Sequence, residues 1–164
     1  MTCIGRRGWP LFLAVLLGAC RPAASTLDLR VWIDRQDLAG FSAVVIKLDW
    51  AGANRGHSKL TGWHKLPLAA AELTLPDTQP VPAATGRLSD GHYDHVFVAA
   101  SSVRGIYADG RSVELDNHIE PITVHFDTQA NAATTIDIRL IVMPRAPQRG
   151  GFDIFTRSAA QPPG

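Results

Sequence analysis

Cysteine is scarce in this 164-residue chain: Cys3 and Cys20 are the only two. That excludes a disulfide framework and a paired-cysteine metal site. Methionine is equally scarce, so a methionine-rich copper site is excluded as well. Neither sign of charge dominates. Sixteen Lys and Arg face fifteen Asp and Glu, for a formal charge of +1, which gives no electrostatic case for a nucleic-acid partner. Long apolar runs are also missing. Trp9 to Ala19 is apolar apart from one proline but only 11 residues long, and a spanning helix needs about 20. No HExxH, Gly-x-Ser-x-Gly or glycine-rich phosphate loop occurs; Gly52, Gly56 and Gly62 have no helix after them. These absences argue against an enzyme and against a bound cofactor.

What is present begins at the N-terminus. Arg6 and Arg7 precede the 11-residue apolar run, which has the dimensions of a secretory signal peptide over residues 1–19. The run ends in Leu17-Gly18-Ala19-Cys20, which resembles the lipobox of bacterial lipoproteins. The resemblance implies cleavage before Cys20 and a lipid on its thiol. Leu17 fills the apolar slot, and Gly18 and Ala19 are the small residues before the cut. The partner so implied is membrane lipid, and the location a bacterial cell envelope. Arg21 stands where retention in the inner membrane typically has aspartate, so the resemblance points to an outer membrane over the inner one in a cell that has both. Loss of residues 1–19 removes two arginines and no acidic residue, leaving 145 residues with a net charge of −1.

Residues 20–26 read as a lipidated tether. From 27 to 143 the chain alternates with period two, as half-buried strands do. Leu27, Leu29, Val31 and Ile33 share one face; Val44, Ile46, Leu48 and Trp50 share another; Ile136, Ile138, Leu140 and Val142 a third. Residues 51–62 read as a loop, Asp109-Gly110 as a type I′ hairpin turn, and Ile119–Phe126 as a partner of Thr134–Met143. The expected fold is all-β: an antiparallel β-sandwich of about seven to nine short strands, immunoglobulin-like or transthyretin-like. Residues 144–164 read as an irregular, mildly basic tail carrying Arg145, Arg149 and Arg157.

Residues Leu88-Ser89-Asp90-Gly91-His92-Tyr93-Asp94-His95-Val96 and Thr135-Ile136-Asp137-Ile138-Arg139-Leu140 resemble a family of small bacterial lipoprotein domains of unknown function. The resemblance covers roughly residues 27–143. It implies a β-sandwich and an envelope location, and supplies no catalytic residues.

Candidate sites are few. Trp32 lies opposite the apolar face of its strand, and Trp63 follows a glycine loop and precedes His64. Either tryptophan can serve as an exposed platform for a glycan or small ligand. His92 and His95, with Asp90 and Asp94 nearby, invite a metal reading, but residues i and i+3 of a strand face opposite sides. No metal site is therefore expected. Asp34 with Asp37, Asp90 with Asp94, and the Asp109 turn are better explained as turn formers than as calcium ligands. The leading functional expectation is a non-enzymatic, lipid-anchored module that meets another envelope protein. Glycan binding through Trp32 or Trp63 is the alternative.

Overall fold

The computed structural model describes residues 24–56, 61–76 and 79–162. The lipobox residues Leu17, Gly18, Ala19 and Cys20 lie outside the described residues. Within them the chain is all-β, as the alternation predicts, with two sheets and no α-helix. In chain order the strands are β1 (Ala24–Ile33), β2 (Ala43–Asn54), β3 (Trp63–Leu66), β4 (Glu72–Leu75), β5 (Val81–Ser89) and β6 (Gly91–Ile106). They continue with β7 (Ser112–Glu114), β8 (Asp116–His118), β9 (Ile122–Thr128), β10 (Ala133–Pro144) and β11 (Phe152–Ala160). Eleven strands stand where seven to nine were expected. β8 is three residues long, too short for alternation to reveal it.

The first sheet runs β5-β1-β10-β11-β8. β1 is antiparallel to β5 but parallel to β10, with Leu29 opposite Ile136 and Val31 opposite Ile138. β11 is likewise parallel to β8. The expectation of a purely antiparallel arrangement is corrected on both counts. Parallel neighbours need a crossover instead of a hairpin, and the whole second sheet lies between β1 and β10 in the chain. β1 also starts at Ala24, inside the expected tether: Ser25 is buried and its hydroxyl donates to the Leu88 carbonyl.

The expected irregular tail over 144–164 is corrected too. β11 pairs along β10, with Val142 opposite Ile154. Ile154 alone of its nine residues is fully buried, so β11 has no alternation to read. Its bonds to β10 hold it there.

The second sheet runs β3-β2-β6-β7, with β4 also on β2 and β9 also on β6. The expected partner of β9 was β10; its actual partner is β6, with Tyr93 opposite Phe126. β2 continues through Asn54, well into the expected loop. Register shifts around Leu48 flip its facing. Val44, Ile46 and Leu48 are buried before the shift, and Ala51 and Ala53 after it. Trp50, expected in the core, is thereby turned outward and is half-buried. A second shift, between Tyr93 and His95, keeps Tyr93 and Val96 in the core and sets Asp94 and His95 between them.

The hairpin at Asp109-Gly110 forms, but not as a type I′ turn. The link is closed by Gly110 N–H to Tyr107 O and Tyr107 N–H to Arg111 O, and only Gly110 has positive φ. This is a longer hairpin loop that requires one left-handed residue, supplied by glycine. Leu27, Leu29, Ile136 and Ile138 of the first sheet share one core with Val44, Ile46, Val96 and Val98 of the second.

Candidate functional site

Trp32 and Trp63, the two aromatic candidates, stand on different sheets. Trp32 is half-buried in β1, and the Arg139 guanidinium lies 5.0 Å from its ring centroid. A cleft of about 250 Å³ beside it is lined by Asp137, Ser158 and Gln161. Arg139 reaches Asp37 at 2.7 Å and Asp34 at 3.2 Å, and Arg157 also donates to the buried Asp37. The acidic pair weighed as calcium ligands is thus taken up by two arginines. On the same sheet Arg30 pairs with Asp137 at 2.6 Å, a hydrogen bond that raises the guanidinium pKa further above its usual value.

Trp63 has different company. β3 lies beside β2, and β2 beside β6, so three outward side chains meet across three strands. The ring centroids of Trp50 and Trp63 are 5.5 Å apart, those of Trp50 and Phe97 5.1 Å, and those of Trp63 and Phe97 5.9 Å. The first two contacts are edge-to-face, a favourable aromatic geometry. Lys65 Nζ sits 5.3 Å from the Trp50 ring. Trp63 also borders a cleft of about 380 Å³ with Arg55, Gly62, His64, Ser89 and Tyr93. Exposed His64 contacts the Arg87 carbonyl through Nε2 at 2.9 Å. Arg55 spans the other side, donating to the Ser89 and Asp90 carbonyls and lying over Tyr93. Sequence reading finds Trp63 and His64 but misses Trp50 and Phe97. No pattern in the sequence announces the register shift that turns Trp50 out.

The histidines are arranged otherwise than expected. His95 is buried, with Nδ1 unpartnered. His92 instead joins Asp94, His125 and Asp127. Its Nδ1 donates to Asp127 Oδ1 at 2.8 Å, and its Nε2 lies 3.1 Å from Asp94 Oδ1. His125 Nδ1 reaches the same Asp94 oxygen at 3.0 Å, and the two imidazoles stack at 5.8 Å, tilted by 10°. Asp94 is buried while both histidines are exposed. The hydrogen bond to Asp127, aided by the charges of Asp127 and Asp94, raises the His92 pKa above its ordinary value against a smaller desolvation effect.

A second His–Asp group joins Asp116, His118 and Asp153 beside a cleft of about 750 Å³. There Arg145 bonds both carboxylates, so the group already holds a cation. Met143, Pro144, Arg149 and Phe155 complete that cleft. No protein-family model, curated protein or solved structure matches the chain.

Proposed function

We propose that the chain is a lipid-anchored protein of a bacterial envelope that acts by binding, not catalysis. Cys20 carries the lipid, and the two sheets are arranged as a β-sandwich that presents a ligand site on its second sheet. The observation that carries this reading is the surface around Trp63. A half-buried aromatic cluster adjoins a cleft whose other walls are Arg55, His64 and Ser89. A sugar ring has an apolar C–H face and a polar rim. Aromatic faces suit the first, and a few convergent polar groups suit the second. Trp32 fits this role less well, because Arg139 already lies over its ring.

The protein-partner reading rests on the other cleft. Met143 is the one exposed large apolar residue among the described residues, at 49% of its surface, and it stands there with Phe155, Arg145 and Arg149. One apolar side chain is a small anchor for a protein interface. The aromatic cluster therefore favours the glycan.

Intrinsic tryptophan emission of the purified protein, titrated with oligosaccharides that include peptidoglycan fragments, tests the choice. Saturable quenching that disappears in Trp63→Ala is expected. Emission unchanged across the panel overturns the glycan reading and leaves the Met143 cleft as the binding face.

A further inference from the structure

Asp127 fixes one half of His92. A carboxylate only accepts hydrogen bonds, so Nδ1 carries the proton shared with Asp127. In the neutral ring, Nε2 then turns a lone pair toward Asp94 Oδ1 at 3.1 Å. Two acceptors do not rest face to face at that distance without a positive charge between them. His125 Nδ1 approaches the same oxygen at 3.0 Å. A proton on His92 Nε2 satisfies the first contact, and so does a metal ion held by all three ligand atoms, which converge on one small volume.

The distances agree with a metal ion. Zinc binds histidine nitrogen and carboxylate oxygen at roughly 2.0–2.2 Å in a tetrahedron, which sets neighbouring ligand atoms about 3.3 Å apart. The two edges from the histidine nitrogens to Asp94 Oδ1, 3.1 and 3.0 Å, lie within a few tenths of an ångström of that value, and the two nitrogens are within 4.8 Å of each other. A carboxylate on the far nitrogen of a ligating histidine is the usual outer support of such sites, and Asp127 stands in that place.

The backbone explains why these residues meet. His92 and Asp94 are two apart on β6, hence on one face. The register shift before His95 brings His125 of β9 against Asp94. The partner of His92 is therefore a residue 33 positions away in the sequence.

We propose that His92 Nε2, Asp94 Oδ1 and His125 Nδ1 bind one divalent transition metal of the zinc class, with Asp127 orienting His92 and one coordination position left open. The Asp116–His118–Asp153 group is no such site, because Arg145 occupies the place of the cation. Metal binding displaces the protons that lie between these atoms.

The test uses the full-length protein, purified in detergent without a histidine tag, stripped with chelator and titrated calorimetrically with Zn²⁺. One equivalent is expected, with a rise in Tm. His92→Ala and His125→Ala each remove one partner of the buried Asp94, so the metal-free Tm of both variants should fall modestly while the fold is kept, as far-UV circular dichroism checks. Each should lose the equivalent. Asp127→Asn should keep the stoichiometry and weaken affinity about 10–100-fold. His118→Ala should change nothing. Bound Co²⁺ should give a visible d–d spectrum that vanishes in His125→Ala. No Zn²⁺ uptake by the unaltered protein overturns the proposal. So does uptake that survives His92→Ala and His125→Ala together, or uptake abolished by His118→Ala.

Discussion

Gly105 carries no side chain, and Phe41 occupies the space beside it. A Cβ at Gly105 would come within 2.6 Å of two ring carbons of Phe41, closer than packed atoms approach. Phe41 has little room to retreat, because it is buried and its ring already meets Tyr107 at 4.6 Å and Phe152 at 4.8 Å. Gly105→Ala should therefore destabilise the fold by about 1–3 kcal/mol through overpacking. A lower urea midpoint with an unchanged slope would confirm it, and an unshifted midpoint would refute it. At this scale the sequence is only partly legible. Trp63 and His64 stand out because a glycine precedes two large, chemically distinct side chains. Trp50 does not, since counting by twos from Val44 puts it in the core. The count fails at the register shift, which depends on how β2 meets β6 and not on any residue of β2 alone.

β11 shows the same limit for a whole element. β1 and β10 announce themselves because both bury every second residue. β11 buries only Ile154 fully, while Phe152 and Phe155 are half-covered. Its flank of glycines and prolines reads as a loop, and its place is decided by the open edge of β10. If Ile154 anchors it, Ile154→Ala should cost about 2–5 kcal/mol, whereas Ile154→Val should cost about 0.5–1.5. Equal midpoints for the two variants in denaturant would show that the strand is held by its backbone bonds alone. The His92–Asp94–His125 group was illegible for a related reason. The sequence offers His95 as the near neighbour of His92, and the strand pairing substitutes His125.

For the whole molecule, the two ends of the described chain lie in one sheet. β1, near the N-terminus, sits between β5 and β10, and β11, near the C-terminus, is the next strand after β10. The proposed lipidation is tested at this scale, because Cys20 precedes β1 by only a few residues. Labelled palmitate should enter the protein as expressed in a bacterial host and be absent from Cys20→Ala, which should also leave the membrane fraction. Label retained by Cys20→Ala would refute the lipobox reading. The residues between Cys20 and Ala24 span at most about 14 Å when extended, at roughly 3.3–3.6 Å each. A lipid at Cys20 would thus hold the Ala24 end of β1, with its neighbours Ser89 and Asn131, close to the headgroups.

Such an attachment would have a mechanical consequence. A pull on the anchor would enter the domain through a strand that is bonded on both sides, to β10 from Thr26 to Ile33 and to β5 from Ala24 to Val31. The force would run along the strand axis. Both ladders would then be loaded in shear, with many hydrogen bonds resisting together, instead of being peeled apart one bond at a time.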